Sequence, residues 1–315
     1  MTASRVVFAG TPEFARVSLA AMVDAGIHPV AVYTQPDRPQ GRGRKLGVCP
    51  VKAYAEQQGL TVLQPQSLKH AATQKELAAL RPDLVVVAAY GLIFPQAVLD
   101  IPVRACINVH ASLLPRWRGA APIQAAILAG DEQSGISLMQ MEAGLDSGPV
   151  YATIEVPIGA ETTAGDLHDA LAAAGGQLLA DCLPDIASGR LLPEPQCDDD
   201  VSYAGKISSA DSNLDWGKTA QQLERQVRAY NPVPGARFYL RDELIKCWRS
   251  AVVANVDGGA PGTVVAAGKS GVDVACGSGV LRLQEVQRAG RRRISGAELA
   301  AQESLVGRLL TADPS

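Results

Sequence analysis

Short apolar segments alternate with longer amphipathic segments through the first 190 residues. The segment 84–90 is apolar at every position, as expected for a central parallel strand that is covered on both faces. We predict strands at 5–10, 29–33, 61–63, 84–90, 105–110 and 136–141, and helices at 13–25, 51–58, 72–80, 121–129 and 163–187. This alternation of strands and helices predicts an α/β fold with a doubly wound, mostly parallel sheet.

The pattern changes after residue 190. Residues 191–204 hold two prolines and three consecutive aspartates, which is typical of an exposed linker. An amphipathic helix is predicted at 218–230, followed by short strands at 236–240, 244–253, 262–268, 271–277 and 279–287. Short strands separated by Gly and Pro favour a small barrel or a sandwich. We therefore divide the chain into a first domain at 1–190, a linker at 191–204 and a second domain at 205–315.

Composition narrows the class of protein. Hydrophobic residues make up 47% of the 315 positions and charged residues 19%, a balance that excludes a largely disordered chain. No apolar run approaches the roughly 18–20 residues of a membrane span, and the N-terminus carries no signal-peptide pattern. The six cysteines form no C-x-x-C pair, which favours reduced thiols. We expect a cytoplasmic protein without a membrane partner.

The net charge of −3 conceals two parts of opposite sign. Residues 1–204 carry 14 Lys/Arg against 21 Asp/Glu, a net charge of −7, and residues 205–315 carry 15 against 11, a net charge of +4. A basic second part suits a phosphate-bearing partner, although chance surface composition explains its charge equally well.

Two familiar ligand motifs are missing. In the turn after the first strand, Pro12 and Ala15 occupy the second and third glycine positions of the dinucleotide fingerprint G-x-G-x-x-G. This argues against a nicotinamide cofactor. No cluster of Cys and His has the spacing of a metal site, so we expect no metal.

The segment 35–46 is a long polar loop with four cations, Arg38, Arg42, Arg44 and Lys45. Such a loop could close over an anionic ligand or over the end of a nucleic acid. The alternative is a solvated surface loop.

Asn108 and His110 are the sharpest candidates for chemistry. They are two residues apart at the end of a predicted strand, so their side chains share one face of the sheet. Histidine moves protons near neutral pH and an amide can donate to a developing oxyanion, which together suit acyl transfer. Asp146, in a loop between Gly144 and Gly148, could orient His110 and stabilise its charged form. The alternatives are a structural histidine and a turn aspartate.

A series of motifs, in order, resembles the folate-dependent formyltransferases. NVHASLLPRWRGAAPIQ starts at Asn108 and is followed by MQMEAGLDSGPV, which starts at Met139. The opening VFAGTPEFA, the loop QPDRPQGRGRKL, the strand VVVAAYGLI and the later VRAYNPVPGA extend the resemblance over the whole chain. The similarity is greatest to the members that act on methionyl-tRNA.

The resemblance implies a Rossmann-like catalytic domain followed by a small OB-like β-barrel that binds tRNA. It implies that the formyl group of the co-substrate 10-formyltetrahydrofolate passes to the free amino group of methionine on initiator methionyl-tRNA, giving N-formylmethionyl-tRNA for translation initiation. Neither a metal nor a nicotinamide takes part, and we expect a monomer.

The resemblance also assigns residues. The implied catalytic set is Asn108, His110 and Asp146. The implied folate-binding residues are Ser112, Leu113, Leu114 and Pro115. The implied tRNA-binding residues are Arg38, Arg42, Arg44, Lys45, Arg291, Arg292 and Arg293, with Lys206, Arg225, Arg228, Lys246 and Arg249 as further candidates.

Two rival functions remain open. Another folate-dependent formyl enzyme, acting on a glycinamide ribonucleotide, on a sugar nucleotide or by hydrolysis, would share the three catalytic residues but would not need a basic second domain. A non-catalytic RNA-binding protein would have no use for the three residues together. Substrate choice distinguishes the first rival. For the second, His110→Ala would leave every measurable activity unchanged.

Overall fold

The computed structural model describes residues 4–40, 45–197, 199–253 and 259–314. They form two compact units. Unit 1 is built from the described residues within Met1–Pro122, Gln133–Pro157 and His168–Ala204, and unit 2 from those within Ile123–Glu132, Ile158–Leu167 and Gly205–Ser315.

Up to residue 204, strands and helices alternate as predicted. In chain order the elements are β1 (Val6–Gly10), α1 (Glu13–Asp24), β2 (Ala31–Tyr33), β3 (Arg38–Gln40), β4 (Lys45–Gly47), α2 (Pro50–Gln57), β5 (Val62–Leu63), α3 (Ala71–Ala79), β6 (Leu84–Ala88), α4 (Gln96–Leu99), β7 (Ala105–His110), β8 (Arg118–Gly119), α5 (Pro122–Ala129), β9 (Gln133–Gln140), β10 (Val150–Pro157), α6 (Ala164–Ser188) and β11 (Tyr203–Ala204). Every strand and helix predicted for this part is present.

The main sheet of unit 1 has the strand order β10-β9-β7-β6-β1-β2-β5. The five strands from β7 to β5 are parallel, whereas β9 is antiparallel to β7 and β10 is antiparallel to β9. Strand β6 is buried at all five positions, as its continuous apolar run predicted. The mostly parallel α/β architecture is confirmed.

The prediction that 35–46 is a loop without secondary structure is wrong, because this segment contributes two short strands. Strands β3 and β4 pair antiparallel, with Arg38 opposite Gly47. Charged residues, Pro and Gly dominate this hairpin, so it lacks the apolar alternation by which a strand is recognised. The base of the hairpin is braced by Lys52, whose Nζ donates to Asp37 at 2.6 Å and to Gln64 at 2.9 Å. The bond from Lys52, and after it the one that Gln64 Nε2 donates to Asp37 Oδ1 at 3.0 Å, lower the pKa of the Asp37 carboxyl.

Two segments of the predicted first domain pack in unit 2, namely 123–132 and 158–167. Within that unit, Arg225 donates to the Ala129 carbonyl at 3.1 Å and Arg228 donates to the Thr162 carbonyl at 3.1 Å. The local pattern of a helix predicts its buried face but not the unit against which that face packs.

From residue 205 onward the chain is mainly antiparallel sheet. The elements are a 3₁₀ turn (Ala210–Ser212), α7 (Ala220–Ala229), β12 (Ala236–Leu240), β13 (Glu243–Val253), β14 (Val264–Gly268), β15 (Gly271–Ala275), β16 (Val280–Arg288), β17 (Arg293–Ser295), α8 (Gly296–Gln302) and β18 (Leu310–Thr311). All five predicted strands are present, and β17, α8 and β18 are additional.

The sheet of unit 2 closes on itself. Its order is β14-β15-β16-β13-β12-β18, with β17 beside β16. A bridge between Thr263 and Leu309 joins the two ends of this order, because these residues adjoin β14 and β18. Fully buried Leu223, Phe238 and Leu283 belong to its core. Of the two predicted alternatives, the structure therefore forms the small barrel.

No helix in the described part of the chain is both long enough and apolar enough to cross a membrane.

Candidate active site

Strand β7 ends with Asn108 and His110 on one face of the sheet. Val109 between them points to the opposite face, where α6 packs: a Cβ built on Gly175 would lie 3.1 Å from its Cγ1 atom. Because side chains alternate along a strand, Asn108 and His110 both face away from α6. The shared face predicted from the spacing of the two residues is confirmed.

The His110 ring lies between two hydrogen-bond acceptors and is only 6% exposed. Its Nε2 is 3.1 Å from the carbonyl oxygen of Trp117, and its Nδ1 is 3.8 Å from Oδ2 of Asp146. A carbonyl can only accept, so Nε2 carries a proton and Nδ1 is the basic nitrogen of the neutral ring. A proton added at Nδ1 would therefore place positive charge directly before the Asp146 carboxylate.

The turn after β7 aims the Trp117 carbonyl at this ring. Trp117 has a φ of +61°, in the left-handed region that is uncommon for residues other than glycine. The Ser112 hydroxyl donates to the Arg116 carbonyl at 2.6 Å, and the Trp117 N–H donates to the Ser202 hydroxyl at 3.0 Å. Contacts on both sides thus hold the turn in place.

Asp146 approaches His110 from the loop between β9 and β10. Its φ is +49°, again left-handed, and the Gly119 N–H donates to its Oδ2 at 2.8 Å. Gly148 is required for the same loop, because a Cβ there would lie 1.9 Å from the Gln140 carbonyl oxygen. The structure thus brings together all three residues that sequence reasoning selected as the catalytic set.

The Asn108 side chain is half-buried and makes no hydrogen bond to another residue in the described ranges. An amide at the edge of a binding face that has no protein partner is available to a ligand.

A cleft of about 540 Å³ is lined by α4, the start of β7 and the chain that follows β9, and its lining stops short of the three residues just described. Its volume lies within the roughly 300–1,000 Å³ typical of small-molecule sites. Cys106, two residues before Asn108, is part of its lining. Burial, with a smaller effect of Asp100, raises the pKa of the Cys106 thiol to about 12. The thiol is therefore protonated at neutral pH and supplies no nucleophile.

The segment from Ser112 to Pro115 uses much of its own hydrogen-bonding capacity. Besides the Ser112 hydroxyl, which is bound to Arg116, the Leu114 N–H donates to Ser137 Oγ at 3.0 Å. The Leu113 side chain lies over Gly135, where a Cβ would be 2.4 Å away. These contacts fix the turn, and the folate role of Ser112, Leu113, Leu114 and Pro115 stays a prediction.

Of the four cations of the β3–β4 hairpin, Arg38 alone has a side chain within the described residues. Arg38 lies in β3 and is exposed. Arg42 and Arg44 lie outside the described residues, as does the side chain of Lys45. Their predicted contact with tRNA is not tested by the geometry.

Arg291, Arg292 and Arg293 lie at the turn into β17, and all three are exposed. Arg292 pairs with Glu298 at 3.0 Å, and Arg293 pairs with Glu285 at 3.7 Å. The Arg293 guanidinium also stacks on Trp248, 4.0 Å from the ring centre. Arg291 is different, because its guanidinium has no partner among the described residues.

Other cations proposed from the sequence are engaged within unit 2. Arg228 forms a half-buried ion pair with Glu224 at 2.6 Å, and Lys246 donates to the Pro234 carbonyl at 2.9 Å. Arg249 lies 3.5 Å from Glu161. Their charges are partly matched inside the protein.

Sequence reasoning missed Arg118, Gln196 and Ser202, which support the Asp146 loop and the turn after β7. Arg118 is 8% exposed, and its guanidinium donates to the Gln196 Oε1 atom at 2.8 Å. Gln196 and Ser202 belong to the segment 191–204, whose polar composition predicted a linker. No local pattern links residues this far apart, so only the fold reveals the contacts.

Among the described residues, no group of three or more His, Cys, Asp or Glu could hold a metal ion.

Two protein-family models together match most of the chain. The model for formyl transferase matches residues 4–183, and the model for the formyl transferase C-terminal domain matches residues 206–304.

Two similar relatives are methionyl-tRNA formyltransferases. The one from Halorhodospira halophila is 52% identical over 94% of this chain and 95% of its own length. The one from Stenotrophomonas maltophilia is 54% identical over 93% of this chain and 96% of its own. Among solved structures, the N-formyltransferase from Helicobacter canadensis, bound to folinic acid and dTDP-3-aminofucose, matches with a TM-score of 0.67. It is 18% identical and covers 90% of this chain and 99% of its own, a likeness that shows the shared fold.

Proposed function

The chain belongs to the methionyl-tRNA formyltransferase family, and from this premise we propose that Asn108, His110 and Asp146 carry out its reaction. The reaction transfers the formyl group of 10-formyltetrahydrofolate to the amino group of methionine on initiator methionyl-tRNA. It needs no metal and no nicotinamide. The observation that carries the proposal is the placement of the His110 ring between the Trp117 carbonyl and the Asp146 carboxylate, with the Asn108 amide on the same face.

The transfer needs one proton to change places. The attacking amine loses a proton as its nitrogen bonds to the formyl carbon, and the folate nitrogen gains one as its bond to that carbon breaks. A single group that accepts a proton and then donates it satisfies this balance. His110 is that group, acting at Nδ1, because Nε2–H is committed to the Trp117 carbonyl.

Asp146 stabilises the charged ring during this exchange. Its Oδ2 atom faces Nδ1 at 3.8 Å and also accepts a hydrogen bond from the Gly119 N–H. The site is largely closed to water, so the attraction between the two charges is screened little.

Asn108 stabilises the formyl oxygen. Negative charge grows on this oxygen as the amine adds, and the unpartnered amide N–H groups can donate to it. Donors fixed by the strand need no reorganisation when the charge develops, which is the condition for a large catalytic effect.

The folate binds in the cleft beside Cys106. The lining of this cleft ends at Cys106, two residues before Asn108 on β7, and at Gly144, two residues before Asp146 in the chain that follows β9. The turn after β7 contacts folate through Ser112, Leu113, Leu114 and Pro115. The uncharged Cys106 thiol gives the cleft a weakly polar wall suited to an aromatic ring.

The tRNA binds through two groups of cations. Arg38, Arg42, Arg44 and Lys45 reach the acceptor end, and Arg291, Arg292 and Arg293 contact backbone phosphates. Contacts of this kind supply affinity and salt sensitivity rather than the reading of a base sequence.

The catalytic domain is 1–190 and the tRNA-binding barrel is 205–315, joined by 191–204. The protein acts as a monomer in the cytoplasm, where the exposed Cys197 stays reduced.

A transfer assay tests the proposal. Labelled 10-formyltetrahydrofolate is offered with initiator methionyl-tRNA, elongator methionyl-tRNA and an amino sugar nucleotide in separate reactions. We expect formylation of the initiator methionyl-tRNA and loss of that activity in His110→Ala. Formylation of the sugar alone, or full activity of a folded His110→Ala variant, would reject the assignment.

A further inference from the structure

Gln196 lies outside the residues assigned so far, in the segment that joins the two predicted domains. Its carboxamide uses both ends. Nε2 donates to the carbonyl oxygens of Asp146 at 2.9 Å and Gly148 at 2.7 Å. Oε1 accepts from Arg118, from Nε at 3.1 Å and from Nη2 at 2.8 Å. All four hydrogen-bonding positions of this amide are filled.

The two partners of Gln196 lead to the two sides of the His110 ring. Asp146 faces Nδ1 directly. Arg118 lies between Trp117, whose carbonyl binds Nε2, and Gly119, whose N–H binds the Asp146 carboxylate. One side chain therefore ties together the two loops that determine where both ring nitrogens find their partners.

The Asp146 loop requires such a tie. Asp146 holds a left-handed φ of +49°, which a residue with a side chain adopts only where its surroundings enforce it. The Gly119 N–H fixes the carboxylate, but a bond to the carboxylate alone leaves the backbone free to relax. The Gln196 amide fixes the backbone carbonyl of the same residue.

The orientation of the amide is determined by Arg118. A guanidinium only donates, so it selects Oε1 and leaves Nε2 facing the two carbonyls. Arg118 is 8% exposed and has no carboxylate partner among the described residues. Its Nε and Nη2 atoms instead both donate to the Oε1 atom of the neutral Gln196 amide.

We propose that Gln196 is a positioning residue for the formyl transfer, acting by holding Asp146 at its distance from His110. The proposal rests on the proposed catalytic role of Asp146. The Gln196 amide is fully engaged with Arg118, Asp146 and Gly148, so its removal lowers kcat rather than substrate affinity.

Two substitutions and a matched control test this role. Gln196→Ala removes all four hydrogen bonds. Gln196→Glu keeps the size and the contact with Arg118 but replaces the donating N–H groups with an oxygen that repels the two carbonyls. Glu194→Ala alters the same segment, but that side chain is exposed and only its backbone pairs with Val150.

We expect kcat to fall about 10- to 100-fold in both Gln196 variants, with KM for 10-formyltetrahydrofolate and for methionyl-tRNA within about threefold of the parent, as for loss of orientation. Glu194→Ala keeps its activity. The decisive readout is a double-mutant cycle: in an Asp146→Asn background, Gln196→Ala should cost less than threefold, because the charge it positions is already gone.

The outcomes separate this inference from the proposed function. If Asp146→Asn alone leaves kcat unchanged, the catalytic assignment fails and the inference fails with it. If Asp146→Asn is impaired but both Gln196 variants are fully active, the inference alone is overturned. Equal losses in the two backgrounds, a rise in KM without a change in kcat, or unfolding of both Gln196 variants would also overturn it, since each indicates a structural role.

Discussion

Nδ1 of His110 faces Oδ2 of Asp146 at 3.8 Å, longer than a hydrogen bond but close enough for strong attraction once the ring is charged. The carboxylate is already held by the Gly119 N–H at 2.8 Å. The counter-charge is therefore in place before a proton reaches the ring, and no rearrangement is needed when it arrives.

Asp146→Asn isolates the charge of this carboxylate. The amide keeps the size of the side chain and an oxygen for the Gly119 N–H, but it cannot balance a protonated His110. We expect kcat to fall roughly 10²–10⁴-fold, because His110 loses the charge that stabilises its protonated form and with it much of its general acid–base function, with KM for both substrates changed little. Steady-state transfer kinetics measure this. Asp24→Asn, an exposed change at the end of α1, is the control, and equal kcat values for the two variants would contradict the role of Asp146.

Asn108→Ala removes the proposed donor to the formyl oxygen. Loss of one such donor costs about 10²–10³ in kcat, and the half-buried position leaves the fold intact. Asn108→Asp keeps the size but presents a charged acceptor, so it should lose at least as much activity. If Asn108→Asp retained parental kcat while Asn108→Ala did not, packing rather than hydrogen bonding would explain the effect.

The placement of Asn108 and His110 could be predicted because it depends on local geometry. A strand alternates its side chains, and an apolar run such as 84–88 identifies the sheet to which the neighbouring strand belongs. The residue pattern alone narrows the second domain only to a small barrel or a sandwich, since the bridge between Thr263 and Leu309 that closes the barrel joins residues far apart in the chain. The choice of a barrel came from the family resemblance and is confirmed.

The support of Asp146 could not be predicted, because it depends on contacts between distant segments. Gln196 lies 50 residues from Asp146 and 78 from Arg118. The segment that carries it is polar and proline-rich, which is the composition of a linker, and composition does not show which polar side chain is bound. The β3–β4 hairpin was missed for the related reason that its strands have no apolar face.

Three buried thiols predict a loss of stability in alkali. Burial raises the pKa of Cys106 and Cys247 to about 12 and that of Cys276 to about 11, from 9.0. Below pH 9 both folded and unfolded thiols are protonated, so stability does not depend on them. Above pH 9 the unfolded chain releases protons that the folded chain keeps. The free energy of unfolding therefore falls by about 1.4 kcal/mol per pH unit for each thiol until its folded pKa is reached.

Urea unfolding at a series of pH values between 8 and about 10.5 measures this slope. Cys106→Ala should reduce the slope by about 1.4 kcal/mol per pH unit, because any cavity it creates costs the same at every pH. Cys197→Ser, at an exposed position, should leave the slope unchanged. Stability that is independent of pH over this range would contradict the prediction.

Arg291 should contribute more to the salt dependence of tRNA binding than its two neighbours. Arg292 and Arg293 must loosen pairs with Glu298 and Glu285 to contact a phosphate, whereas the Arg291 guanidinium has no partner among the described residues. Each phosphate neutralised adds about 0.7–0.9 to the slope of log K against log salt concentration. Arg291→Ala should lower the slope by about that amount, and Arg292→Ala by less.

Arg190→Ala, which breaks an exposed pair with Asp185 in unit 1, is the control. An equal fall of the slope in Arg190→Ala and Arg291→Ala, or no change in Arg291→Ala, would place the phosphate contacts elsewhere on the protein.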